Sequence, residues 1–175
     1  MADAPFLDFS GHTIGETAPD VEVETRAEIR AASVAMARQA RRRVRIVSRH
    51  LDGPVYDDPE FLLALRELAT GSRSARVEIL VRDSGPAVRE GHRLIELARR
   101  LSTYFEFRVP SADHDAYNAA FMIVDDTATV WRNFADRFEG LVSFGDRRRA
   151  GDLGRTFVEM WESATPDPAM RRLHL

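Results

Sequence analysis

Apolar positions along the chain follow two periods, and the two periods alternate. Ile29, Ala32, Ser33, Met36 and Ala40 recur at helical spacing and predict a helix over residues 22–40. Val44 to Ser48 is a short β-branched run and predicts the first core strand. Asp58-Pro59 opens a second helix as cap and first turn, with Phe61, Leu62, Leu65 and Leu68 as its buried stripe and Thr70-Gly71 as its end. Val77, Ile79, Leu80 and Val81 mark a second strand within Arg76 to Arg82, bounded by Asp83-Ser84-Gly85-Pro86. One helix is expected over residues 87–102, then an edge strand from Tyr104 to Val109 and a polar loop to Tyr117. The segment Asn118 to Asp125 holds an unbroken apolar run, Phe121 to Val124, which reads as a central strand. Asp125-Asp126-Thr127 turns it back into a hairpin strand, Ala128 to Arg132. A strand at residues 140–144 and a helix capped by Asp146, with Leu153, Phe157, Met160, Trp161 and Ala164 inward, complete the series. Strand and helix periods in alternation predict an α/β fold: one domain over residues 22–175, with a central mixed β-sheet flanked by helices. Residues 1–21 read as an irregular lead-in pinned by Phe6 and Phe9.

Composition removes several chemistries. The chain has 175 residues and no cysteine, which closes disulfide, zinc-thiolate and cysteine-nucleophile readings. All 25 basic residues are arginine, so no lysine Schiff base or P-loop lysine is available. Net charge is -3, which gives no whole-molecule attraction to polyanions. On that ground, and for want of an aromatic-basic strand pattern, nucleic acid is not expected as a partner. No apolar run is long enough to span a bilayer and no basic leader precedes one, so no membrane partner and a cytoplasmic location are expected.

The central strand carries a spacing with chemical content. Asn118, Ala120 and Asp125 stand at the intervals of His-x-Lys-x-x-x-x-Asp, and Asn133 follows the hairpin strand. The succession of elements over residues 42–165 and this spacing resemble the phospholipase D superfamily. The resemblance implies a half-domain in which histidine attacks phosphorus, a second histidine protonates the leaving group and lysines hold the phosphate oxygens. Here the histidine place is Asn118 and the lysine place is Ala120. An amide nitrogen has a delocalised lone pair and cannot attack, and alanine donates nothing. Only Asp125 keeps its family type in the triad, and Asn133 alone echoes the Gly-Ser…Asn element. An acid opening a hairpin turn also has a backbone reason to be there.

A degenerate motif implies a module without the family's catalysis, acting by ligand binding or protein assembly. The resemblance further implies a homodimer across the old site and an acyltransferase-type protein as a partner. The alternative is a phosphodiesterase-type hydrolase built on another residue set. His50, Asp52, Tyr56, Asp83, His92, His114, Tyr117 and Arg132 are its candidate pocket, because polar residues past strand ends are where open α/β sheets place ligands. The acid pairs Asp57-Asp58 and Asp125-Asp126 are explained by a cap and a turn, so no metal and no cofactor are expected.

Overall fold

The computed structural model describes residues 7–16 and 19–170. Its centre is an eight-stranded sheet in the order β1-β7-β6-β5-β2-β3-β4-β8. The strands are β1 (Val21–Val23), β2 (Arg43–Ser48), β3 (Arg76–Val81), β4 (Phe105–Val109), β5 (Ala120–Val124), β6 (Ala128–Arg132), β7 (Gly140–Ser143) and β8 (Thr165–Pro166). Strands β2, β3 and β4 are parallel, and the remaining pairs are antiparallel. The helices are α1 (Arg26–Gln39), α2 (Gly53–Tyr56), α3 (Pro59–Gly71), α4 (Gly85–Arg89), α5 (Arg93–Arg100) and α6 (Arg147–Ser163). The α/β architecture with a mixed sheet between helices is the one expected.

Strand alternation sorts the side chains onto two faces. Ile46, Ile79, Met122, Val124 and Val130 pack with Ile29, Met36, Phe61 and Leu65 of α1 and α3. Val47, Leu80, Phe121 and Ile123 point the other way, onto Ala150, Leu153, Phe157 and Met160 of α6. With both faces covered, every residue of β5 is buried, which is why its sequence is a continuous apolar run. The β5–β6 hairpin closes through Asp125 and Asp126 at φ 50° and 54°. The Thr127 N–H donates to the Val124 carbonyl at 3.1 Å, so the two left-handed residues are the centre of a type I′-like turn within a three-residue loop, and aspartate, like asparagine, tolerates that region better than most side chains with a Cβ.

Three boundaries differ from the sequence reading. Residues 21–23 pair with β7 as a strand, and α1 starts only at Arg26. Thr25 and Glu28 form a reciprocal capping box that fixes this start. The helix expected over 87–102 is two helices, because Gly91 takes φ 69° and His92 caps α5 by accepting the Leu94 N–H at 3.2 Å. Gly71 closes α3 within the helix, and Ser72 is the extended cap. In the lead-in, Phe9 is buried and stacks on Phe144 at 6.2 Å, as an anchor should. Phe6 lies outside the described residues.

Candidate functional site

The motif strand carries its residues at the end of the sheet where β2 and β3 finish and β5 begins. Asn118 is exposed there, and its side-chain oxygen accepts from Arg49 Nη2 at 3.2 Å. Its carbonyl accepts the Ala135 N–H at 2.7 Å, which ties the loop after β6 to the start of β5. Ala120 is fully buried and pairs across the ladder with Arg132. Neither position offers a nucleophile or a cation to a ligand.

Arg132 fills the ground around Ala120. Its guanidinium is ion-paired with Asp52 and also donates to the carbonyls of Ala135 and Arg137 at 3.3 and 3.0 Å. The ring of Phe138 lies 5.2 Å from the guanidinium carbon. The side chain of Arg132 is 3% exposed, so this is a buried ion pair with its donors shared among fixed acceptors. Tyr56 borders the pair, and burial raises its phenol far above the usual range. Asp52 reaches Arg132 from a tight bend. Leu51 is fully buried at φ 60°, a costly conformation for a bulky side chain. Ser48 holds the bend by accepting the Leu51 N–H at 2.9 Å.

The other candidate residues do not converge on a pocket. His50 lies beside Asp83 in an exposed loop, its Nδ1 3.7 Å from the carboxylate. His114 puts Nε2 3.2 Å from the Ser163 hydroxyl at the end of α6, and its carbonyl accepts from Arg82 at 2.6 Å. Tyr117 packs edge-on against Phe121 at 6.4 Å, and burial raises its phenol. Asn133 is exposed beyond β6. The space enclosed by Ser48, Arg49, Arg82 and Tyr117 is about 10 Å³, room for no more than a water molecule. The structure thus brings Asp52, Tyr56 and Arg132 together as a closed cluster, with His92 buried against the backbone of Leu51, and leaves His50 and His114 on other contacts.

His92 is buried at the start of α5, and Nε2 has no hydrogen-bond partner among the described residues. Burial lowers its pKa from the ordinary 6.5, with the Asp57 carboxylate and the nearby Leu51 backbone, too far for a well-formed hydrogen bond, opposing. A lowered folded value means that the neutral ring stabilises the fold above about pH 6.5 and that this contribution is lost as pH falls through the folded value. Urea unfolding from about pH 8 to 5 is expected to show this loss in the native chain and a flatter profile in His92→Asn, which keeps a capping side chain.

Asp125 has a structural task. Its carboxylate accepts the backbone N–H groups of Arg41, Arg42 and Arg43 at 2.8, 2.9 and 2.9 Å. It thereby ties the hairpin turn to the entry of β2, at the far end of the sheet from Asn118. No group of three or more potential metal-ligating side chains occurs among the described residues. No helix among them is long and apolar enough to cross a membrane.

Solved structures of similar fold are known. Nuc of Salmonella typhimurium, described as a phospholipase D family member, matches with TM-score 0.59 at 13% identity, over 85% of this chain and 97% of that one. NucT from Helicobacter pylori matches with TM-score 0.56 at 15% identity, over 85% and 99%. The fold is therefore similar to that of phospholipase D-like proteins. A family model, "Domain of unknown function (DUF7931)", matches residues 25–173, and the chain belongs to that family. A search among curated proteins finds no match. A third structure, TrmBL2, is described as an archaeal chromatin protein that shows a novel mode of DNA binding. It matches with TM-score 0.61 at 15% identity over 95% of this chain, which spans 56% of the length of TrmBL2. That match corrects the expectation drawn from net charge that nucleic acid is no partner. Whole-chain charge averages over a surface, whereas a binding face is set by local arrangement.

Proposed function

We propose that this chain is a non-catalytic phospholipase D-like module that acts by binding, with nucleic acid as its ligand. The observation that carries the first part is the state of the motif strand. Asn118 stands at the nucleophile position with its amide oxygen engaged by Arg49, and Ala120 stands at the lysine position. Beside it, the ion pair of Arg132 with Asp52 occupies the interior. In-line attack on phosphorus needs a lone pair and room for a pentacoordinate centre, and a cavity of about 10 Å³ gives neither. The alternative residue set finds little support in geometry, since His50 is exposed beside Asp83, His114 lies against Ser163 and His92 is buried against the Leu51 backbone. Support for the ligand comes from the match to TrmBL2 along nearly the whole chain.

Two assays test the two parts. Purified protein is expected to show no turnover of bis(p-nitrophenyl) phosphate above buffer. Turnover that disappears in His50→Ala or His114→Ala would refute the non-catalytic reading. A fluorescently labelled oligonucleotide is expected to gain anisotropy on titration, with affinity falling as salt rises. No anisotropy change at low salt, for single strand or duplex, removes nucleic acid as the ligand.

A further inference from the structure

The three parallel strands β2, β3 and β4 are entered by three loops at the end of the sheet opposite Asn118. These loops are Ala40-Arg41-Arg42, Ser72-Arg73-Ser74-Ala75 and Leu101-Ser102-Thr103-Tyr104. Backbone hydrogen bonds lay them side by side. The Arg76 N–H donates to the Arg42 carbonyl at 2.9 Å, and the Val77 N–H donates to the Tyr104 carbonyl at 2.8 Å. Adjacent strands lie about 5 Å apart, so the loops form one continuous rim.

The rim is rich in arginine and hydroxyl groups. Arg41, Arg42, Arg73 and Arg76 are exposed, and none has a carboxylate partner among the described residues. Arg43 and Arg76 are direct cross-strand neighbours; Glu78 lies 3.4 Å from Arg43 and leaves Arg76 as the unpaired cation of the two. A cleft of about 400 Å³ opens between them and the third loop, with Ser102, Thr103 and Tyr104 on its wall. Two acids also line the cleft, but both are engaged: Glu78 by Arg43 and Arg45, and Glu106 by Arg108. Asp126 is held by Arg45. Glu67 borders the rim from α3 beside Arg41 and tempers its charge.

We infer that this rim, rather than the motif end, is where the protein holds the phosphate backbone of a nucleic acid. The inference rests on the proposed ligand and adds the surface to it. Arginine forks and hydroxyl donors are the groups that hold phosphate oxygens without reading bases. Three adjacent loops present them in a row, as a strand carrying repeated phosphates requires. The motif end offers no such row, because Arg82 is committed to Asp115 and Arg49 to Asn118.

The test is an anisotropy titration of a labelled oligonucleotide with the native chain and two double variants of the full protein. Arg41→Glu with Arg73→Glu changes exposed side chains that make no described side-chain hydrogen bond, and urea unfolding confirms that both variants fold. This pair is expected to weaken binding by at least about tenfold and to flatten its salt dependence by about two ion equivalents. Arg49→Ala with Arg82→Ala is expected to bind like the native chain. Binding retained by the rim variant and lost by the other overturns the rim while leaving the ligand in place. No binding by the native chain overturns the ligand and the rim's assignment with it. Binding to anionic phosphatidylglycerol vesicles without binding to oligonucleotide overturns the assignment in favour of a membrane surface.

Discussion

Asp52→Ala is expected to destabilise the protein by about 3–5 kcal/mol in urea unfolding, because it leaves a buried guanidinium without its counter-ion. The side chain of Arg132 is 3% exposed and that of Asp52 is 18%, so water cannot easily replace the lost carboxylate. The carbonyls of Ala135 and Arg137 and the face of Phe138 remain, which places the expectation toward the lower end of that range. Removing both charges, as Asp52→Ala with Arg132→Met, is expected to recover about 2 kcal/mol of the loss, since an uncharged pair has no desolvation to offset. A cost below about 1 kcal/mol for Asp52→Ala would mean that the pair behaves like a solvent-screened surface contact. The same measurement bears on function. If the pair holds the loop after β6 against the bend at Leu51, then the ground beside Ala120 is occupied as part of the fold. A lysine at that position would then meet a second buried cation instead of a phosphate.

The parts of this fold that were legible in the sequence share a physical signature. β5 is covered on both faces, and a doubly covered strand must be apolar throughout. Helices α1, α3 and α6 each bury one stripe, and a stripe leaves a period. β1 was hidden because it is three residues long at a sheet edge, where Glu22 faces out between Val21 and Val23 and no run can form. The signal for the true start of α1 was present in Thr25 and Glu28, three residues apart, and the acids before them drew the boundary too early. The break between α4 and α5 turns on Gly91 and the His92 cap, and glycine inside a helical pattern has more than one meaning. The spacing from Asn118 to Asp125 located the motif strand, but the fate of its pocket could not be read from it. Asp52 and Arg132 are 80 residues apart, and only the β2–β5–β6 adjacency brings them together. The run Arg41-Arg42-Arg43 reads in sequence as a phosphate-binding patch or a solvated helix cap, and only the fold shows which loops lie beside it.

Asp125→Ala is expected to cost about 3 kcal/mol, the second-largest loss among these substitutions. Three backbone N–H groups, those of Arg41, Arg42 and Arg43, would lose their acceptor together. Hydrogen bonds to a charged group contribute about 1.5–3 kcal/mol each, but neighbouring bonds are not additive and water reaches part of this turn. Alanine would also have to hold φ near 50°, which aspartate tolerates through its short polar side chain. Asp125→Asn separates these effects. Asparagine keeps an oxygen for the Arg42 and Arg43 N–H groups and accepts the left-handed backbone, so a loss of only about 1 kcal/mol is expected. Thermal or urea unfolding of the two variants reads the difference. A result in which asparagine is as damaging as alanine would show that the negative charge, and not the acceptor geometry, holds the hairpin to β2. Asp125 would then be acting as an ion on the surrounding arginines, and its position would bear on ligand binding at the rim as well as on the fold.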